Sequence, residues 1–270
     1  MTRPLPALPA LAVLLALAPP PALAGETVCW FENGVVVVPA EVLGVAGDFI
    51  LDTASPHTQL ADSQAQAAGY VATALVGPVR LAGLNLPNRP VTVAVLDLRT
   101  GALPTPVAGV IGADVLRPYV LDVSFAPCRV RLSAKGHAPA FRASARLALG
   151  WVAERPVVRV SVADGPRTLT GAFALGTGAD RAVRLSDAVA DAPGARSRKE
   201  LYPYGVLAPR LRAMSFAGDL AENLPAGLMA AEDPALAGQL GAPLLARYRL
   251  RFDFPAGQLL LAPTGHAARR

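Results

Sequence analysis

The chain has 270 residues, 53% of them hydrophobic and only 6% aromatic, with 25 Lys and Arg against 20 Asp and Glu. That length buries a sizeable core built mainly from Val, Leu and Ala, and the formal net charge of +5 is carried by scattered arginines, with no basic block to mark a nucleic-acid surface. Two cysteines and three dispersed histidines (His57, His137, His266) offer no metal-ligand set, and no cofactor is implied.

In chain order, the first feature is an export signature. Arg3 supplies a positive start, 11–18 is an apolar run too short to span a bilayer comfortably, and Ala22-Leu23-Ala24 has the small-x-small pattern of a signal-peptidase site. Pro19-Pro20-Pro21 breaks any helix long enough to cross. Residues 1–24 are therefore expected to be a signal peptide, and no later segment reads as a membrane span. The mature chain is expected in the periplasm or secreted. That compartment permits a Cys29–Cys128 disulfide; two free buried thiols are the alternative the sequence leaves open.

Beyond the signal, short Val/Leu-rich runs alternate with Gly/Pro turns. Strands are predicted over 35–38, 48–51, 91–96, 157–162, 173–175 and 250–254, and short helices over 62–68, 113–117 and 242–247. Residues 133–148 lack apolar periodicity and hold the boundary. The mature chain then divides into 25–135, a linker over 136–148, and 149–270.

The two parts repeat one another. Gly47-Asp48-Phe49-Ile50-Leu51-Asp52-Thr53-Ala54-Ser55 aligns with Gly171-Ala172-Phe173-Ala174-Leu175-Gly176-Thr177-Gly178-Ala179. Near each end, Gly109-Val110-Ile111-Gly112-Ala113-Asp114-Val115-Leu116 aligns with Gly238-Gln239-Leu240-Gly241-Ala242-Pro243-Leu244-Leu245, and Tyr119 with Tyr248. Two blocks in the same order make the chain a duplication. The second copy is longer just after its turn, and the extra stretch contains Tyr202-Pro203-Tyr204-Gly205.

A strand ending in Asp-Thr-small-Ser, followed much later by apolar-apolar-Gly-x-x-x-Leu, resembles the aspartic proteases, both the bilobal pepsin-like enzymes and the shorter retropepsin-like lobes, bacterial ones included. The resemblance covers nearly all of the mature chain. It implies a mostly β, bilobal acid-protease fold made of two duplicated lobes. It also assigns Asp52 to the catalytic position of the first lobe and leaves Gly176 where the second catalytic aspartate would stand. Thr53 and Thr177 would brace the turns against each other, and Ser55 could hydrogen-bond the Asp52 carboxylate. Ala54 departs from the glycine usual at its position. Asp180 falls where many retropepsins contact the substrate backbone. Tyr202 and Tyr204 would line a flap over the cleft or pack on the surface.

In that family two adjacent carboxylates share one proton; one activates water and the other polarises and protonates the peptide. With one carboxylate missing, three readings follow. The chain is a monomeric peptide-binding pseudoprotease with lost or weak proteolysis, its partner a peptide or protein segment in the inter-lobe cleft. It is an active aspartic endopeptidase that recruits another acid. Or it is a non-catalytic envelope scaffold with a filled cleft. The shortened region after Asp52, where a covering flap is expected, favours the first.

Overall fold

Valine-rich runs favour strands, and their alternation decides which face turns inward. The computed structural model describes residues 23–164, 167–190 and 210–264. The first half builds β1 (Ala24–Val28), β2 (Trp30–Glu32), β3 (Val35–Val42), β4 (Val45–Leu51), β5 (Gln59–Ala61), α1 (Asp62–Ala67), β6 (Ala74–Leu81) and β7 (Leu84–Ala94). It continues through α2 (Asp97–Thr100), β8 (Gly109–Ile111), α3 (Ala113–Leu116), β9 (Tyr119–Phe125) and β10 (Cys128–Ala134). The second half runs β11 (Ala145–Ala148), β12 (Gly150–Val152), β13 (Arg155–Asp164), β14 (Arg167–Gly176), β15 (Val183–Ser186) and α4 (Asp187–Ala190). After it come β16 (Arg210–Phe216), β17 (Asp219–Met229), β18 (Leu236–Gly241), α5 (Ala242–Leu245), β19 (Tyr248–Asp253) and β20 (Gln258–Pro263).

The pairing repeats as the sequence does. One seven-stranded sheet has the order β2-β3-β4-β8-β5-β7-β6 and the other β12-β13-β14-β18-β15-β17-β16, each strand ten places on from its counterpart. Extra β3–β6 and β13–β16 pairings curl each sheet toward a barrel. A third sheet, β1-β10-β9-β19-β20-β11, takes three strands from each half and joins the lobes. The fold is mostly β and bilobal. Its main buried cluster runs through both lobes and includes the repeat-related pair Phe49 and Phe173, neither exposed to solvent.

The joining sheet is continuous at its middle because β9 and β19 pair antiparallel, with Leu250 opposite Val123, Arg251 opposite Asp122 and Phe252 opposite Leu121. The four apolar partners enter the main core. On the other face the Arg251 guanidinium donates to both Asp122 oxygens, from Nε at 2.6 Å and Nη2 at 2.7 Å, and from Nη1 to the Pro139 carbonyl at 2.7 Å. A forked pair of this kind is strong and directional. The Cys29–Cys128 disulfide ties the chain just after β1 to the start of β10, where Cys29 N–H also donates to the Cys128 carbonyl. Closing a loop of that length removes unfolded-chain entropy worth about 4–5 kcal/mol in the simplest treatment.

Several predicted elements end differently. Residues 145–148, expected within the linker, form β11 against β20, because Ala145 and Leu147 pack on the core. The strand predicted over 91–96 stops at Ala94, and α2, which the sequence did not predict, follows. The strand predicted over 250–254 ends at Asp253, whose side chain accepts from the Ala256 amide and turns the chain. Among the described residues no helix is long and apolar enough to cross a membrane.

The nearly buried Arg251 makes the joining sheet sensitive to one substitution. Arg251→Met leaves Asp122 without its counter-charge and is expected to lower unfolding free energy by about 3 kcal/mol. The exchanged double variant, Asp122→Arg with Arg251→Asp, is expected to recover more than half of that loss in urea titrations.

Tyr248 adds a pH dependence. Burial, then its hydrogen bond to Asp219, pushes its phenol well above the usual tyrosine range. The neutral form is the one the fold favours, so this contribution is intact below pH about 10 and fades as pH rises beyond it. Tyr248→Phe should show a flatter alkaline stability profile than the wild type in denaturation scans.

Candidate functional site

β4 and β14 end in the two related turns, and the fold sets these turns back to back. Thr177 Oγ1 donates to the Leu51 carbonyl at 2.6 Å, and Thr53 Oγ1 donates to the Leu175 carbonyl. Each hydroxyl also accepts from the opposite threonine amide, Thr53 N–H at 3.2 Å and Thr177 N–H at 3.3 Å. Both threonines are completely buried. Three polar groups of each turn region, the threonine amide and hydroxyl and one leucine carbonyl, are thus satisfied by the other lobe through four hydrogen bonds.

This brace fixes Asp52. Its amide donates to the Ile111 carbonyl at 3.0 Å. Its Oδ1 accepts from Ala54 N–H at 2.9 Å within its own turn and from Gly178 N–H at 3.3 Å across the interface. Gly178 has to be glycine, since a Cβ there would lie 2.6 Å from the Asp52 Cβ and 2.8 Å from its carboxyl carbon.

The second oxygen has a partner that sequence reasoning missed. Arg99, on α2, donates from Nη2 to Asp52 Oδ2 in a close ion pair. The short helix is anchored on both sides. Leu96 packs in a small buried cluster with Ile50 and Val110, and Leu103 joins that cluster from the far side. Asn33 Nδ2 donates to the Ala102 carbonyl at 2.6 Å, and Thr105 Oγ1 to Glu32 Oε1 at 2.8 Å. The available signal was alignment: 95–108, between β7 and β8, is longer than its counterpart between β17 and β18.

Asp52 opens onto a cleft of about 610 Å³ between the lobes. Its charged side chains come in pairs: Asp52 with Arg99, Glu232 with Arg155, and Asp180 with Arg184. Arg155 also crosses the interface, donating from Nε to the Ala54 carbonyl at 3.0 Å. Among the described residues none between Gln59 and Arg99 lines the cleft, so its cover on the first-lobe side comes from α2 and the residues just after it. No three His, Cys, Asp or Glu side chains among the described residues converge as metal ligands.

No family model and no curated protein matches the sequence. Solved structures do. The aspartic proteinase from Irpex lacteus superposes with a TM-score of 0.58 at 14% identity, covering 91% of this chain and 99% of that one. Basic 7S globulin from soybean superposes with a TM-score of 0.55 at 12% identity, covering 92% and 98%. The chain has the bilobal aspartic-protease fold.

Within this fold the two turns have diverged. At Gly176 the space a side chain would enter is taken, with Gln239 Nε2 lying 2.2 Å from an ideal Cβ. Ser55 corrects an expectation. Its hydroxyl donates to the His57 carbonyl at 3.0 Å, and only its amide reaches Asp52, at the backbone oxygen. The turn closes on itself there, which aims the hydroxyl along the chain and away from the carboxylate. Asp180 does line the cleft, as an exposed residue paired with Arg184. Tyr202 and Tyr204 lie outside the described residues. His57 stands 4.0 Å from Glu154, an exposed contact.

The threonine brace can be tested by removing one hydroxyl at constant shape. Thr177→Val leaves the buried Leu51 carbonyl without a donor and the Thr53 amide without an acceptor. A loss of about 2–3 kcal/mol is expected from the unsatisfied groups. Thr177→Ser, which keeps the oxygen, should retain most of the stability in the same unfolding assay.

Proposed function

We propose that the chain is an exported, peptide-binding pseudoprotease whose proteolysis is lost. The observation that carries this reading is the partner of Asp52, a guanidinium where the reaction needs a second carboxyl. A paired carboxyl can release and recover a proton during peptide hydrolysis; arginine stays protonated and cannot. Gly176 supplies no acid, and the other cleft acids, Asp180 and Glu232, are each engaged by an arginine. The open volume beside Asp52 supports ligand binding over a scaffold with a filled cleft. An extended segment in such a groove gains affinity from main-chain hydrogen bonds and selectivity from alternate side-chain pockets.

Export rests on the signature in 1–24 and is supported by the Cys29–Cys128 bond, which suits an oxidising compartment. Both halves of the cleft come from one chain, which supports a monomer.

The test is incubation of the chain beginning at Gly25 with decapeptides of randomised sequence across acidic to neutral pH. Mass spectrometry would read cleavage, and immobilised protein would read retention. Retention without cleavage is expected. Hydrolysis by the wild type that disappears in Asp52→Ala would overturn the reading, as would no retention of any peptide by folded protein.

Restoring the missing acid provides a stronger test. Gly176→Asp alone is expected to stay inactive because Arg99 still holds Asp52. Combined with Arg99→Ala and Gln239→Ala, which free the carboxylate and clear the space, it is expected to gain hydrolysis at least ~100-fold above background, the low end for one positioned acid-base group.

A further inference from the structure

The outer face of the joining sheet carries a second concavity, of about 270 Å³, sharing no lining residue with the Asp52 cleft. Strand alternation creates it, since every second residue stands on one face. Arg129 and Arg131 come from β10, and Arg249 and Arg251 from β19. Between them β9 contributes Asp122, opposite Arg131 and Arg251, and Ser124, opposite Arg129. The same β9–β19 register, carried one residue further, sets Arg249 beside Ser124.

Charge is balanced at one end of this groove and unbalanced at the other. Arg251 is committed to Asp122, and Arg131 donates from Nε to Glu26 at 2.9 Å. Arg129 reaches only the same Glu26, at 3.8 Å, and its side chain is 51% exposed. Arg249 has no carboxylate partner among the described residues. Its guanidinium lies 5.5 Å from the Phe141 ring centre, beside that of Arg251 at 4.9 Å, so the ring forms a ledge that orients it. Four guanidinium groups face two carboxylates, and the excess of two positive charges flanks the Ser124 hydroxyl.

We propose that this groove binds a phosphate group, with Arg129 and Arg249 as its charged ligands and Ser124 as a hydroxyl donor between them. A phosphomonoester carries close to two negative charges at neutral pH and offers three acceptor oxygens. Planar guanidinium forks on either side match that shape. A single carboxylate leaves one positive charge unanswered, and a long polyanion would run onto Glu26 and Asp122. The site is independent of what the Asp52 cleft binds.

Calorimetric titration of the chain from Gly25 with inorganic phosphate and with phosphoserine, at low ionic strength, tests the assignment. Saturable binding is expected, weakened at least tenfold in Arg249→Gln and in Arg129→Gln and unchanged in Arg80→Gln on the first lobe. Flotation with vesicles containing phosphatidic acid separates two sources of the group. Vesicle binding lost in Arg249→Gln assigns a lipid phosphate; phosphate and phosphoserine binding without flotation assigns a soluble one. No saturable phosphate binding, or equal affinity in wild type and both groove variants, would overturn the proposal.

Discussion

Two threonine hydroxyls, each donating into the opposite lobe, hold this molecule's functional region in register. Thr53 and Thr177 satisfy one another's backbone amides and the carbonyls of Leu51 and Leu175 at the ends of β4 and β14. Buried polar groups left unmatched are costly, so the two turns cannot separate or slide without exposing several at once. Everything near Asp52 follows from that fixed contact. The Gly178 amide reaches Oδ1 only because the turns touch, and the Asp52 and Ile50 side chains packed there leave no room for a side chain at 178.

Geometry and chemistry have parted company at this site. The two turns repeat one braced frame, while the charges around Asp52 are of opposite sign. The Asp52 carboxylate faces Arg99, and Gly176 in the second turn is covered by the side chain of Gln239. A like-charged pair of carboxylates competes for a proton. An opposite-charged pair removes the competition and gives a stable, polar floor to the cleft. Arg155 and Arg184 repeat the same arrangement along the walls.

The frame was legible in the sequence because it is periodic and doubled. Phe49 and Phe173, Thr53 and Thr177, and the closing Gly-x-x-x-Leu blocks mark two copies of one unit, and the sheet orders repeat accordingly. What could not be read lies where the repeat breaks. Arg99 sits on a four-residue helix in a stretch without apolar alternation, and only tertiary packing through Leu96 and Leu103 brings it to Asp52. Ser55 departs from expectation for a related reason: a hydroxyl three residues from a carboxylate can turn either way, and the local fold of the turn directs it to the His57 carbonyl. β11 is not legible because it is only four residues long and gains its partner from the far end of the chain.

The salt bridge at the middle of the joining sheet bears on the protein's history. Leu121 and Leu250, Asp122 and Arg251, and Val123 and Phe252 are related by the duplication; across the midline Leu121 faces Phe252, Val123 faces Leu250, and Asp122 faces its own counterpart, Arg251. Asp122 and Arg251 are therefore each other's equivalents, placed on the approximate twofold axis. In a dimer of identical lobes the residue on that axis must meet a copy of itself, acid against acid or base against base. Two different lobes are needed to place an acid opposite a base there. The pair therefore postdates the divergence of the two copies. It also makes the joining hard to reverse, because neither half now carries a surface that would accept its own copy.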